Sequence, residues 1–348
     1  MFNRLTSEDI VTIARTLSLL IDAGVPLHTA IASLRTAHVG RASGALLARI
    51  QPLIEGGQSL HASLETERSL GPVVVALVQA GERSGTLPQQ LTVAADWVER
   101  EQTMRNNITA ATLYPKIIFG ASLIVATGLV TFILPHLIPL FAGMHTTLPI
   151  MTRILIAVST FMGHNWRLIL ISVGVATGLY VYLQRLPFVR YVLDRMMLHV
   201  PYLGALHQAH QLTISARVIA TLYESGVGIP EALHIASGTC TNEVFRRALT
   251  SIAREVERGE TMSSVFEKYP DLFHPEFILL TSVGEQSGKV TATFRRLSAH
   301  YEEQINTAVK QLPAVIEPVL LIFMTALVGF VAISIVLPIY EYSSGFTR

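Results

Sequence analysis

The sequence AGERSGTL, from Ala80 to Leu87, decides the fold because the chain carries a second version of it, VGEQSGKV, from Val283 to Val290. The strings ARTLSLLIDAGVPLHTAI and ARVIATLYESGVGIPEAL, which begin at Ala14 and Ala216, repeat in the same order. Other landmarks keep nearly the same spacing of 203 positions that separates Ala80 from Val283. They are the pairs Gly24 and Gly226, Gly57 and Gly259, Glu99 and Glu302, Tyr114-Pro115 and Glu317-Pro318, and Leu134-Pro135 and Leu337-Pro338. A self-match of this length indicates a duplicated domain and not a short solenoid repeat.

The composition points to a membrane protein. Half of the 348 residues are apolar, 15% are charged and the mean hydropathy is +0.46, with the apolar excess concentrated in a few windows. The formal net charge of +1 provides no strong field that would favour nucleic acid. Cys240 is the single cysteine of the sequence, which excludes an internal disulfide and a cysteine-based zinc site.

The residues up to Lys116 predict a compact helical bundle. Apolar residues between Ile10 and Ile21 recur at helical spacing. Thr6 and Asp9 have the pattern of a capping box that opens a helix. No segment shows the sustained alternation of a half-buried strand, and basic and acidic residues balance. We therefore expect an all-α, neutral domain, and the duplication predicts a second one.

Three uncharged stretches are predicted to cross the membrane, since a helix needs about 20 apolar residues to span a hydrocarbon core of ~30 Å. The predicted organisation is a first helical domain at 1–116, a transmembrane helix at 117–138, an outer loop with an amphipathic segment at 139–167, a second transmembrane helix at 168–184, a second helical domain at 185–311, a third transmembrane helix at 312–340 and a short tail at 341–348. We expect Pro135 and Pro139 to end the first span, and a helix to begin near Pro318.

The distribution of basic residues predicts the orientation of the chain. The side rich in arginine and lysine carries Arg100, Arg105, Lys116, Arg185, Arg190, Arg195 and Lys310. The opposite side carries Arg153, Arg167 and Arg348. The N-terminus and both helical domains are therefore expected in the cytoplasm, and the C-terminus outside it. The second span returns the chain inward, so the two repeats are parallel, unlike the inverted repeats of many transporters.

The repeated Gly-Glu-x-Ser-Gly segment predicts a helix end followed by a tight turn. A phosphate-binding loop is rejected, because Gly284 and Gly288 enclose three residues where such a loop has four. Val290 also stands where that loop carries a magnesium-binding hydroxyl. Gly85 and Gly288 are instead suited to a positive φ, which glycine adopts without strain.

Acidic residues are candidates for contacts with partners. Glu82 and Glu285 are interpreted either as solvated turn residues or as partner contacts. Glu317 lies close to an apolar span, which makes it a functional candidate. It is equally interpreted as a structural residue that reaches the headgroups, in the first turn of the helix expected at Pro318. No compact pattern of histidine, serine or cysteine specifies a catalytic, cofactor-binding or metal site.

With these landmarks placed, the chain resembles the inner-membrane platform proteins of type IV pili and type II secretion systems, the GspF/PilC group. The resemblance rests on the order and spacing of the two turns, the Ala-Arg and Gly-Val helices and the Tyr114-Pro115 and Glu317-Pro318 pairs, and it extends from about Leu5 to Tyr340. Many members carry an N-terminal extension before the first helical domain. This sequence has almost none, so it is expected to be a short variant.

The resemblance implies an all-α protein of the bacterial inner membrane without enzymatic activity. Its implied partners are a hexameric secretion or pilus ATPase, pilin or pseudopilin subunits, other inner-membrane assembly proteins, the lipid bilayer and further copies of itself, with no nucleic acid. The residues expected to shape the turns or contact partners are Gly24, Gly81, Glu82, Ser84, Gly85, Glu99, Tyr114, Pro115, Gly226, Gly284, Glu285, Ser287, Gly288, Glu302, Glu317 and Pro318.

Two other classes of membrane protein remain open on the residues alone. A small transporter or channel would need polar side chains that converge near the middle of the bilayer, where the three predicted spans offer little beyond serine, threonine and glycine. A membrane receptor or scaffold unrelated to filaments is the other alternative. Solute flux in vesicles would favour a transporter, whereas ATPase binding would favour a platform.

Overall fold

The computed structural model describes residues 5–37, 40–67, 69–128, 131, 150–183 and 186–345. The elements within these ranges are α-helices, as the sequence predicts. They are α1 (Ser7–Asp22), α2 (Leu27–Thr36), α3 (Arg41–Glu55), α4 (Leu60–Glu65), α5 (Pro72–Ser84), α6 (Leu87–Gly128), α7 (Ile150–Leu183), α8 (Pro187–Leu198), α9 (Leu203–Glu224), α10 (Ile229–Thr239), α11 (Glu243–Glu257), α12 (Met262–Phe266), α13 (Pro275–Gln286) and α14 (Val290–Gly345).

The duplication is visible in the order of the helices. Helices α1 to α6 form repeat 1, and α9 to α14 form repeat 2 with corresponding helices in the same order. Equivalent glycines end equivalent helices: φ is +84° at both Gly24 and Gly226. After each of them the chain closes the same hydrogen bond, Val25 N–H to the Leu20 carbonyl at 3.0 Å and Val227 N–H to its counterpart at 2.9 Å. This is the geometry of a Schellman helix end, and it requires a residue that tolerates positive φ.

The chain divides into two compact units. The first unit contains residues 1–107 and 190–307, and therefore the helical bundles of both repeats. The second unit contains residues 108–189 and 308–348, which include the apolar parts of α6 and α14 and the whole of α7.

The two bundles have cores of different composition. The core of repeat 1 is aliphatic, with Ile31, Leu47 and Leu60 completely buried. Repeat 2 instead buries a cluster of aromatic rings, in which Phe266 and Phe273 lie 4.5 Å apart between ring centres. Equivalent helices are therefore held together by different side chains, because the apolar pattern and not the individual residue fixes a helical bundle.

Helices α6 and α14 are longer than the sequence predicts, since each runs without a break from a bundle into an apolar segment. Both are long and apolar enough to cross a membrane. Pro115 lies inside α6 and Pro318 lies inside α14. The expected helix start at Pro318 is therefore wrong, and so is the placement of Glu317 in a first turn. Proline interrupts helices less often beside other apolar helices, where neighbouring groups satisfy the carbonyls that it leaves free.

Helix α7 is bent at Asn165, whose φ of −109° and ψ of 21° are not helical. The two halves meet at 76°, and by length and composition they could cross a membrane only when taken together. The bend falls beside the predicted boundary between the amphipathic segment and the second span. In the second unit α7 is tied to α14, since the buried Thr152 hydroxyl donates a hydrogen bond of 2.7 Å to the Ser334 carbonyl. The predicted ends of the first span at Pro135 and Pro139 lie outside the described residues.

Candidate functional site

The repeated turn has the same backbone geometry in both repeats. Gly85 ends α5 with a φ of +71°, and Gly288 follows α13 with a φ of +67°. The N–H of the next residue then bonds back to the first glycine of the motif. Thr86 N–H lies 2.9 Å from the carbonyl of Gly81 and Lys289 N–H lies 2.9 Å from the carbonyl of Gly284. The segment is a helix end and a tight turn, as its sequence predicts.

The first glycine of each turn allows two helices to approach closely. A Cβ atom on Gly81 would lie 2.9 Å from the Cα of Leu87 and from the Cβ of Gln90 in α6. A Cβ atom on Gly284 would lie 2.6 Å from the hydroxyl oxygen of Thr293 in α14. Both distances are shorter than a van der Waals contact, so any side chain larger than hydrogen would force the helices apart.

The glutamate of each turn is hydrogen-bonded inside its own repeat. The Glu82 carboxylate accepts the backbone N–H groups of Leu60 at 2.6 Å and His61 at 3.1 Å, and its Oε2 lies 2.5 Å from Nδ1 of His61. The Glu285 carboxylate accepts the backbone N–H groups of Met262 at 2.6 Å and Ser263 at 3.0 Å, and the Ser263 hydroxyl at 2.7 Å. Each carboxylate therefore caps the N-terminus of a short helix, α4 or α12. An acid suits this place because the first N–H groups of a helix lack partners within it.

The two turns differ in what surrounds them. Ser84, at the end of α5, lines a cleft of about 210 Å³ together with Ala80, Gly226 and Val227. The turn of repeat 1 therefore lies beside repeat 2 within the first unit. Ser287, the counterpart of Ser84, is exposed, and its hydroxyl donates only to backbone carbonyls of its own helix, including that of Val283 at 2.7 Å.

Glu99 and Glu302 form equivalent ion pairs. Glu99 lies 2.6 Å from Arg15 on α1, which also contacts Asp96 at 3.1 Å. Glu302 lies 2.8 Å from Arg217 on α9. The side chain of Arg15 is 47% exposed, whereas that of Arg217 is 9% exposed. The same pair is thus a surface contact in repeat 1 and a partly buried one in repeat 2, where Arg217 is buried, Glu302 is 39% exposed and the pair borders a cavity shared with repeat 1.

Tyr114, Pro115 and Glu317 are brought together in the second unit. They line a small cavity of about 110 Å³ between the apolar parts of α6 and α14, beside Pro313. The Glu317 side chain is exposed, and no hydrogen bond or ion pair joins it to another described residue. Pro318 is exposed next to this cavity. The sequence landmarks that pair across the duplication thus also meet in space.

Sequence reasoning did not identify the partners of these acids. The arginines that bind Glu99 and Glu302 were available as a signal, since Arg15 and Arg217 occupy the same place in the two repeated strings. The backbone N–H groups that bind Glu82 and Glu285 carried no such signal, because every residue except proline has one.

One family of known proteins matches this chain twice, once in each repeat. The family described as "Type II secretion system (T2SS), protein F" matches residues 13–135 and again residues 215–338. Each match begins in the first helix of a repeat and ends in the apolar segment that follows its bundle.

Similar proteins occur in both pilus and secretion systems. The chain is 30% identical to the "Type IV pilus assembly protein PilC" of Thermus thermophilus over 335 residues, which cover 96% of this chain and 82% of that protein. It is 29% identical to the "Type II secretion system protein F" of Pseudomonas aeruginosa over 337 residues, covering 96% and 83%. It is 25% identical to the protein of the same name in Vibrio cholerae over 351 residues, covering 99% and 85%. With two matched segments over most of its length, the chain belongs to the type II secretion system protein F family.

Proposed function

We propose that this protein is an inner-membrane platform that couples a cytoplasmic secretion ATPase to the assembly of pilin or pseudopilin subunits. The names of its relatives, which refer to type IV pilus assembly and to type II secretion, support a role in one of these machines. The protein itself is proposed to have no enzymatic activity, and the ATPase supplies the energy.

The observation that carries this proposal is the continuity of α6 and α14. Each is one helix that begins in a cytoplasmic bundle and continues into a segment long and apolar enough to cross a membrane. Because each helix is continuous in the chain, we propose that a displacement of its bundle is passed on to the membrane segment. The duplicated bundles therefore provide two levers through which an ATPase can act on subunits in the bilayer.

The proposed topology follows the sequence. Both bundles lie in the cytoplasm, α6 and α14 lead outward, α7 returns the chain and the C-terminus lies in the periplasm. The excess of arginine and lysine on the bundle side supports this orientation. We propose helical domains at 1–116 and 185–311, spans at 117–138, 168–184 and 312–340, an outer loop at 139–167 and a tail at 341–348, with the first and third spans as extensions of the bundle helices.

Self-association is proposed to use the exposed face of α13. The matching face of α5 is covered by repeat 2, and Ala76 on it is 7% exposed. On α13 the counterparts of Ala76 and Ala80 are Leu279 and Val283, which are 63% and 53% exposed. We propose that a second chain covers them as repeat 2 covers α5. It would use the matching face of its own repeat 1, where Leu19 is 71% exposed.

The experiment that tests the platform role is crosslinking in intact cells, followed by purification of the tagged protein and identification of its partners. Recovery of a secretion ATPase together with pilin-like subunits is expected. A variant in which Gly284→Trp separates α13 from α14 is the matched control, because it keeps the membrane segments and disturbs one bundle. If the unchanged protein is abundant in the membrane and recovers neither partner, the platform role is refuted.

A further inference from the structure

Helix α8 lies between the two segments that match the family, and its side chains are sorted onto two faces. At 100° per residue, Phe188, Val192 and Met196 share one side of the helix. Arg190 and Asp194 lie on the other side. The helix is therefore amphipathic, and its contacts show which face the protein uses.

The polar face of α8 is the one attached to the protein. Arg190 donates a hydrogen bond of 2.9 Å to the Thr241 carbonyl. Asp194 accepts the backbone N–H of Glu243, the first residue of α11, at 2.7 Å. The carbonyl of Asp194 also accepts a bond of 3.3 Å from the Asn242 side chain. These bonds fix α8 to the start of α11 through charged and polar groups.

A cation–π contact adds to this attachment. The guanidinium of Arg247 lies 4.8 Å from the centre of the Tyr191 ring. At 100° per residue Tyr191 lies at the border between the two faces of α8. Four contacts together therefore set the orientation of the helix on repeat 2.

The apolar face of α8 points away from the protein. Phe188 is 75% exposed, Met196 is 64% exposed and Val192 is 39% exposed, and no residue of α8 is fully buried. A surface helix of a soluble bundle has the opposite arrangement, with its apolar face on the core. An apolar stripe of this kind requires a cover.

The position of α8 in the chain indicates what lies over its apolar face. Helix α7 ends at Leu183 and α8 begins at Pro187. Four residue steps reach at most about 14 Å, even when fully extended. The headgroup layer on each side of a bilayer is about 5–8 Å thick. If α7 emerges from the membrane at Leu183, the start of α8 cannot leave the region of the membrane surface.

We propose that α8 is an interfacial helix that buries Phe188, Val192 and Met196 in the surface of the bilayer. Helices of this type lie in the plane of the membrane with the apolar side among the upper acyl carbons. Because its other face is attached to α11, the helix holds repeat 2 at the membrane surface. The inference rests on the proposed second span and does not depend on the role in filament assembly.

The test uses the full-length protein in nanodiscs of phosphatidylethanolamine and phosphatidylglycerol, with an environment-sensitive fluorophore on single introduced cysteines. Cys240 does not compete for the label, since it is buried and burial raises the pKa of its thiol to about 11. The probe is placed by Phe188→Cys or by Met196→Cys. Glu257→Cys, at the exposed end of α11, is the aqueous control, and Val175→Cys in α7 is the control for the span.

Lipids brominated near the headgroup end of the acyl chain then act as quenchers. Quenching several-fold stronger at Phe188 and Met196 than at Glu257 is expected. Quenching at Val175 without quenching on α8 overturns the interfacial helix and leaves the second span intact. Absence of quenching at Val175 and at the two α8 positions refutes both the second span and the interfacial helix. Crosslinking of the α8 cysteines between two chains, with no lipid quenching, shows a protein cover and also overturns the proposal.

Discussion

Glu285 accepts a hydrogen bond of 2.6 Å from the backbone N–H of Met262, across 23 residues of chain. Glu82 binds Leu60 at the same distance in repeat 1. The acid of the repeated turn therefore connects the end of one helix to the beginning of another, and it explains why the two short helices α4 and α12 begin where they do.

Replacement of this acid should loosen the short helix. Glu285→Ala leaves two N–H groups without their acceptor, and we expect a local loss of about 1–3 kcal/mol. Hydrogen exchange of the full-length protein should show the amides of Met262 and Ser263 exchanging roughly 5- to 140-fold faster, since about 1.4 kcal/mol corresponds to a factor of ten. Glu285→Gln retains an acceptor oxygen and should lose less. Unchanged exchange in the alanine variant would contradict the capping role.

Substitution of Gly81 or Gly284 should reduce both stability and assembly, because it creates a steric clash between two helices. A second substitution can relieve part of that clash. Gly284→Ala forces a methyl group against the Thr293 side chain, and overpacking of this kind costs about 1–3 kcal/mol. Thr293→Ala removes the hydroxyl oxygen at 2.6 Å and the Cγ2 atom at 3.0 Å but keeps the Cβ atom at 2.8 Å, so the double variant should recover only part of the loss. At Gly81 one of the two nearest atoms is the Cα of Leu87, which no side-chain substitution removes.

The measurement is a double-mutant cycle on unfolding in guanidinium, together with filament or secretion assays in cells. The second substitution should restore more of the lost unfolding free energy when Thr293→Ala is added to Gly284→Ala than when Gln90→Ala is added to Gly81→Ala. Equal recovery at both turns would contradict the difference between the two contacts. Normal assembly by membrane-inserted protein with bulky residues at these glycines would contradict the close approach of α5 to α6 and of α13 to α14.

The two repeated ion pairs should differ in strength. Glu302→Ala removes the carboxylate that Arg217 holds at 2.8 Å, and that guanidinium is mostly buried, so we expect a loss of about 1–3 kcal/mol. Glu99→Ala leaves the exposed Arg15 with Asp96, and the loss should stay below about 1 kcal/mol. Unfolding followed by tryptophan fluorescence measures both losses. Equal losses would show that burial of the pair has no effect.

Acidification should destabilise the first unit through histidines near the start of α9. Burial lowers the pKa of His210, although Glu101 opposes this, and burial lowers the pKa of His207 as well. The unfolded chain then binds protons at a higher pH than the folded chain. Stability is complete above the ordinary histidine pKa of about 6.5 and falls as the pH decreases through that value towards the lower folded pKa.

Thermal unfolding at about pH 7.5 and about pH 5.5 measures this dependence. His210→Gln should reduce the fall in melting temperature on acidification, whereas His234→Gln, at an exposed position, should leave it unchanged. A fall that is the same in all three proteins would assign the pH dependence to other groups.

The sequence predicted what local signals control. Glycines at positive φ, such as Gly85 and Gly288, and their spacing disclosed both the turns and the duplication. It did not predict that Pro318 lies inside one long helix, because the cost of a proline depends on the neighbouring helices and not on the segment itself. The sequence also did not predict which face of α8 contacts repeat 2, since an amphipathic pattern does not show which face meets protein and which meets lipid.

Self-association through α13 predicts a head-to-tail contact between chains. The face with Leu279 belongs to repeat 2 and its proposed partner, the face with Leu19, belongs to repeat 1, so the two surfaces in contact are different. Interfaces between unlike surfaces generate rings or open chains, whereas identical surfaces generate a two-fold dimer. Leu279→Asp should therefore weaken the oligomer, because it places a charge in an apolar contact, and Leu279→Ala should weaken it less.

The decisive measurement is cysteine crosslinking between two differently tagged chains in one membrane. One chain carries Leu19→Cys and the other carries Leu279→Cys, and the buried Cys240 does not react in either. Crosslinks are expected between the two kinds of chain and not between two chains that both carry Leu279→Cys. Crosslinks between identical positions would indicate a two-fold contact instead. Native mass spectrometry of the Leu279→Asp variant supplies an independent measure, since an oligomer of unchanged size and stability would place the contact elsewhere.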